Sequence, residues 1–178
     1  MVFRIVKVIV MLDISPGVRH YFDLAGFTNA REVAVDSSVP LEHPAHALLA
    51  RFGGLHIGVG GDSEMLSGIR NDIAFEATER YGEIDQWEHL LETRLVGIAA
   101  THHRHGFLYV SEDERFFNLS GIHDAMGFNG EGFGKAIENL LFSESMPMIR
   151  PDQKSVSWYG LEYFHGDSAL YHYVAADA

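Results

Sequence analysis

The chain contains no cysteine, which excludes disulfide staples, thiolate catalysis and cysteine-ligated zinc together. That absence fits a reducing compartment, and a cytoplasmic location is the expectation. Lysine is nearly as scarce. Only Lys7, Lys135 and Lys154 occur, and Lys plus Arg total 13 against 25 Asp plus Glu. No basic stripe interleaved with aromatics can be assembled from that supply, so nucleic acid is not an expected partner. The net charge of −12 repels polyanions and anionic lipid; it serves solubility, or it draws in basic partners and speeds their association. Long apolar runs are also missing. A membrane span needs ~20 uninterrupted apolar residues, whereas the run near the start covers only Val8 to Leu12, between Lys7 and Asp13. It lacks the long apolar centre and small-residue cleavage site of a secretory leader. Val2 to Leu12 therefore reads as a strand or an added tail, with Met11 as an alternative start, and no membrane partner is expected.

What is present has the composition of a folded protein: 178 residues, 47% hydrophobic and 21% charged, enough for one domain with a sizeable core. Ser15-Pro16 predicts a helix opening, with Val18, Tyr21, Phe22 and Ala25 at helical spacing and Gly26 at the end. Glu32 to Val35 reads as a short strand. Ala45, Leu48, Leu49 and Phe52 share one helical face, stopped by Gly53-Gly54, and Leu55 to Val59 and Asp72 to Ala77 read as strands. Gly60-Gly61-Asp62-Ser63 is a turn signal. Ile84, Trp87, Leu90 and Leu91 mark a further helix. Leu95 to Ala100, Phe107 to Val110 and Arg115 to Leu119 are three strands joined by short polar connections, which favours antiparallel pairing. Phe133, Ala136, Ile137, Leu140 and Leu141 define a last helix. The aromatic tail carries Trp158, Tyr159, Tyr163, Phe164, Tyr171 and Tyr173, with a strand pair expected to turn at His165-Gly166-Asp167. Helices and strands mix without βαβ alternation, which predicts a single-domain α+β fold, an antiparallel sheet flanked by helices. The expected division is a strand or tail over 1–14, the main domain over 15–146, and an aromatic extension over 147–178 packed on the same domain.

Histidine is the most conspicuous chemistry-bearing residue. His102, His103 and His105 fall between Thr101 and Gly106, His43 and His46 stand at a helix start, and His123 is isolated. Close imidazoles ligate zinc, nickel or copper when a carboxylate completes the shell. His102 and His103 would point to opposite sides of an extended chain, leaving only His103 and His105 on one face. An exposed polar turn is the expectation, with no metal and no cofactor; a metal-dependent enzyme using these histidines is the rival. The glycine-rich run Gly127 to Lys135 is not a phosphate loop, because that pattern needs glycine at 129 and Ser or Thr at 136, where Asn129 and Ala136 stand. It reads as a flexible lead-in to the helix beginning at Phe133. No nucleophile elbow or ordered triad appears, and an enzyme is not expected.

Opposite the apolar stripe of the third helix lie Glu83, Asp85, Glu88 and Glu92, with no Lys or Arg following them until Arg94. Such a face is either a solvated helix side or a surface for a basic partner, and these four acids are the candidate partner-binding residues. The aromatic tail is a second candidate surface, set against simple packing on the sheet. Phe52 reads as a core aromatic, and Gly53 and Gly54 as the backbone break that lets helix turn into strand.

Several of these segments resemble, in order, the third subfamily of the SUKH superfamily of bacterial immunity proteins. Ala25-Gly26-Phe27-Thr28-Asn29-Ala30-Arg31 is similar to its turn after the first helix, bracketed by an aromatic and an arginine. Leu48-Leu49-Ala50-Arg51-Phe52-Gly53-Gly54-Leu55 is similar to its helix ending in Phe-Gly-Gly-Leu. Leu95 to Ile98, Phe107 to Val110 and Arg115 to Phe117 resemble its central strands, and Phe133 to Phe142 its closing helix. Phe27 stands where tryptophan is usual, Thr28 and Asn29 replace the customary turn residues, and Glu114 sits where a turn glycine is common. The resemblance spans residues 15–142. It implies a SUKH-like twisted sheet, no catalytic residues, and a protein that binds and neutralises a cognate toxin, often a nuclease. Phe27, Arg31, Phe52, Gly53 and Gly54 are its structural motif residues. A non-catalytic interaction scaffold of the same fold is the alternative.

Overall fold

Alternating apolar side chains and short polar connections make the middle of this chain a meander. The computed structural model describes residues 13–58, 68–123 and 125–173; the expected N-terminal strand or tail up to Leu12, and the turn Gly60 to Ser63, lie outside the described residues. Along the chain run α1 (Arg19–Leu24), α2 (Pro44–Phe52), β1 (His56–Ile57), β2 (Ile73–Phe75), α3 (Ile84–Leu91), β3 (Leu95–Thr101), β4 (Gly106–Ser111), β5 (Arg115–Ser120), β6 (Ala125–Glu131), α4 (Phe133–Leu141), β7 (Met146–Met148), β8 (Ser155–Trp158) and β9 (Leu161–Phe164). Strands β1 to β7 form one antiparallel sheet in sequence order, and β8 pairs with β9 separately. This is the α+β, single-domain architecture expected from the mixed pattern.

Register decides which side chains meet. Leu108 opposes Asn118 and Val110 opposes Phe116, while Phe107 opposes Leu119 and Tyr109 opposes Phe117 on the other face. Helices α1, α2 and α4 cover the first face, where Phe22, Phe52, Phe75, Phe116 and Phe133 are all buried. Phe52 stacks on Phe133 at 4.4 Å with planes 11° apart. Each such ring contributes roughly 1.5–3 kcal/mol through burial. The second face is covered by Ile84, Trp87 and Leu91 of α3 and by the tail, where Tyr171 stacks on Phe128 at 3.8 Å. The Tyr173 hydroxyl donates to the Ile149 carbonyl at 2.9 Å.

Four local expectations are corrected. The first α-helix starts at Arg19, not at Pro16: Ser15 opens a turn ahead of it, its carbonyl accepting from the Val18 and Arg19 N–H groups at 3.0 and 3.1 Å, while its hydroxyl accepts from the Gly17 N–H at 3.4 Å and donates to Glu138 Oε2 of α4 at 3.1 Å. Glu32 to Val35 is extended but joins no sheet: the Val33 N–H donates to the Ala50 carbonyl at 2.8 Å, at the end of α2. The glycine-rich run is not a flexible loop, since Gly127 to Glu131 belong to β6 and pair with β5 and β7. The tail hairpin turns at Tyr159-Gly160, whose φ angles of 49° and 80° suit a two-residue reversal with both central residues left-handed. His165 to Asp167 closes a later turn, where the Phe164 N–H donates to Asp167 Oδ2 at 2.7 Å.

Candidate protein-binding surface

Ile84, Trp87 and Leu91 recur at helical spacing and anchor α3 on the sheet. That geometry sends Asp85, Glu88 and Glu92 to the outer side, with Glu83 at the N-terminal boundary. The Glu83 carbonyl accepts from the N–H groups of Gln86 (3.0 Å) and Trp87 (3.2 Å), and its side chain is half-buried. Asp85 sits in the first turn, where a negative charge is favoured by the helix dipole. Glu92 takes a left-handed conformation (φ 50°) at the C-terminal boundary and is exposed.

The four acids are not equivalent. Arg80, just before the helix, folds back across its face. Its Nη1 donates to Glu88 Oε1 at 3.2 Å, its Nη2 to Glu88 Oε2 at 2.6 Å, and its Nε to Asp85 Oδ1 at 3.1 Å. These bonds, Glu88 first and Asp85 second, hold the guanidinium firmly protonated. Glu88 Oε1 also accepts from the Leu95 N–H at 2.7 Å. The Glu88 side chain is 21% exposed, against 82% for Asp85. Glu88 therefore ties α3 to β3, whereas Asp85 and Glu92 face solvent. The sequence pattern missed Arg80, because it lies outside the helical repeat and is brought in by the turn at Gly82-Glu83, with Gly82 at φ 57°.

Beside this face an open groove of about 460 Å³ runs between Gln86, His89 and Leu90 of α3 and the segment Arg150-Pro151-Asp152. Arg150 is buried, with its guanidinium 5.9 Å from the Trp87 ring and its Nε donating to Asp152 Oδ1 at 3.3 Å. Half-buried Leu90 beside exposed carboxylates gives the mixture of apolar centre and polar rim common to protein interfaces.

The motif residues lie elsewhere, under α2. Phe27 packs 5.4 Å from Phe52, between the guanidiniums of Arg19 (5.1 Å) and Arg51 (5.2 Å). Arg31 Nη2 donates to the Gly53 carbonyl at 2.5 Å. A side chain at Gly53 would meet the Leu49 carbonyl oxygen at 2.5 Å, and Gly54 has φ +80°. The break between α2 and β1 thus requires both glycines.

His102 has the His103 and His105 rings 6.1 and 6.4 Å away, centre to centre, while His43 stands apart. His43 caps α2, its Nδ1 accepting from the Ala45 N–H at 3.2 Å, and burial lowers its pKa. His102, His103 and Arg104 follow one another with φ of 50°, 53° and 68°. This unfavourable left-handed run is held by Asn71 Oδ1 on the His102 N–H (2.8 Å) and Asp72 Oδ1 on the His103 N–H (2.7 Å). Asp72 also meets His56 Nε2 at 2.9 Å. No group of three or more His, Asp or Glu among the described residues is arranged to hold a metal.

The tail divides. Trp158, Tyr171 and Tyr173 pack inward, while Tyr159, Leu161 and Phe164 are exposed. No helix among the described residues is long and apolar enough to cross a membrane.

No curated protein and no solved structure matches the chain. The family model of the SUKH-3 immunity proteins matches residues 28–143, more than half of its length and every element from α2 to α4. The chain belongs to the SUKH-3 immunity protein family, and its general role is toxin immunity.

Proposed function

We propose that the protein neutralises a basic toxin, most simply a nuclease, by docking the acidic side of α3 over the toxin's substrate cleft in the cytoplasm. Blocking a cleft in this way requires no catalytic group on the immunity protein. The observation that carries the reading is the excess of carboxylate over cation on α3: of Glu83, Asp85, Glu88 and Glu92, the Arg80 guanidinium bonds Asp85 and Glu88, within a chain of net charge −12. A cleft built for a polyanion is basic, and an acidic surface both steers toward it and excludes its substrate. Asp85 and Glu92 are the exposed acids available to a partner, Asp85 with Arg80 bonded to its Oδ1; Glu88 shapes the helix.

Co-expression with a candidate toxin, scored by rescue of growth, tests the role itself. Association kinetics with the purified toxin test the surface. The rate should fall steeply with salt, and D85K/E92K should slow it about tenfold while leaving Tm nearly unchanged. An association rate indifferent to salt and to both reversals removes this face from the interface.

A further inference from the structure

The groove between α3 and Arg150-Pro151-Asp152, at about 460 Å³, falls within the ~300–1,000 Å³ range of ligand clefts. Half-buried Leu90 and exposed Pro151 give it apolar surface. Four lining residues are ionisable: Asp85 and His89 on α3, Arg150 and Asp152 opposite. The Arg150 charge is already met, because the side chain is buried, its Nε donates to Asp152 Oδ1 at 3.3 Å, and its guanidinium lies 5.9 Å from the Trp87 ring. Asp85 and Asp152 are both exposed. Each is bonded through one oxygen, Oδ1, by Arg80 and Arg150 respectively; the second oxygen of each has no hydrogen bond among the described residues. Across residues 80–92 and 150–152, the carboxylates of Glu83, Asp85, Glu88, Glu92 and Asp152 stand against the guanidiniums of Arg80 and Arg150, with histidine neutral. The groove thus sits in a field that favours a cation.

We propose that this groove takes an arginine side chain presented by a partner protein. The methylene stem covers Leu90 and Pro151, and the planar head offers its fork of donors to the carboxylates on the two sides. A lysine ammonium is a strongly hydrated point charge without that fork. The surroundings already hold guanidiniums in this manner: Arg80 bonds Asp85 and Glu88, and Arg150 lies against Asp152 and Trp87. Arginine is also among the side chains that most often anchor protein interfaces. That the partner is a toxin rests on the reading above; the preference of the groove for a guanidinium does not.

N-acetylarginine amide is the probe, titrated into the full chain at low salt while backbone amides are followed by NMR. The Gln86, His89 and Leu90 signals should shift and saturate. The citrulline analogue, similar in shape but uncharged, should bind about tenfold more weakly, and the lysine analogue about threefold more weakly. Asp85→Asn and Asp152→Asn should each weaken arginine binding about threefold, and together about tenfold. Both sites are exposed, and Asn keeps an oxygen acceptor for Arg80 and Arg150. Glu144→Gln removes the same charge from an exposed site after α4 and should leave the titration unchanged. A linear drift without saturation overturns the proposal, as does equal binding of the citrulline or lysine analogue, or an equal loss in Glu144→Gln. Shifts of the same amides on dilution of the protein alone would make a second copy of the chain the occupant, and that too overturns it. With purified toxin, Asp152→Asn should shorten the life of the complex about threefold; an unchanged dissociation rate overturns the assignment of the arginine to the toxin. Failure of growth rescue by the wild-type chain would sink the toxin reading and leave the titration standing.

Discussion

At one end of the helix-covered face, Phe22, Phe52, Phe75, Phe116 and Phe133 interlock, each at most 1% exposed. Further along the same strands, the positions pointing to the same side hold Thr101, Gly106, Asn118, Ser120 and Gly127. A hairpin covers that end in place of a helix. The first end is closed by shape, with every ring in contact with another. The second is closed by one indole resting on a glycine, and it keeps polar atoms and space. Apolar packing of the first kind stabilises outright, whereas buried polar atoms without partners carry a cost in stability. The contrast places close apolar packing at one end and looser, polar packing at the other.

The largest test of that division is Phe52→Ala. Its ring touches Phe22, Phe27, Phe75 and Phe133, and truncation in such a site costs about 3–5 kcal/mol. Chemical denaturation should show that loss. A change below about 1 kcal/mol would mean that the site collapses freely and that the phenylalanine end is no better packed than the other. The next is Gly127→Ala, whose added carbon would lie 2.4 Å from the Trp158 ring. The indole must move, at about 1–3 kcal/mol. Trp158 fluorescence should shift to the red while the aromatic core keeps its slow amide exchange. A mutant with unmoved fluorescence would show that the hairpin does not rest on β6.

Those two sites also show what could be read from the sequence. Phe52 was legible, because Ala45, Leu48, Leu49 and Phe52 repeat at helical spacing and Gly53-Gly54 ends the pattern. The strand around Gly127 was not. Gly127 and Gly130 show no alternation, since a Trp158 ring fills one side-chain position from across the fold and the Asn129 bulge interrupts the register. The acidic side of α3 followed from periodicity, yet Arg80, which bonds both Asp85 and Glu88, and the Leu95 N–H that sets Glu88 apart are placed by no periodicity. The polar end of the helix-covered face was the least legible feature. Thr101, Asn118 and Trp158 are ordinary residues far apart in the chain, joined only by strand register and a docked hairpin.

A pH scan sharpens the contrast at the packed end. Burial, the largest influence on His43, lowers its folded-state pKa below 6.5, so the unfolded chain takes up that proton first as pH falls. Stability is full above about 6.5 and declines below it, at no more than ~1.4 kcal/mol per pH unit for one group. His43→Asn keeps a cap for the Ala45 N–H and should remove this slope. The lowered pKa of Asp72, paired with His56 and His103, acts below 3.8 and stays out of that window. A slope that survives His43→Asn would assign it to another group.

The smallest effect discriminates best. In an ordinary core, replacing Thr101 by Val would sacrifice a hydrogen bond worth ~0.5–1.5 kcal/mol. Here the hydroxyl has no partner among the described residues, so the substitution removes a buried orphan and substitutes a methyl of similar shape. Tm should hold or rise, by the equivalent of up to roughly 1 kcal/mol. Loss of stability would mean that the hydroxyl is bonded within the folded protein and that this end of the face is core like the other.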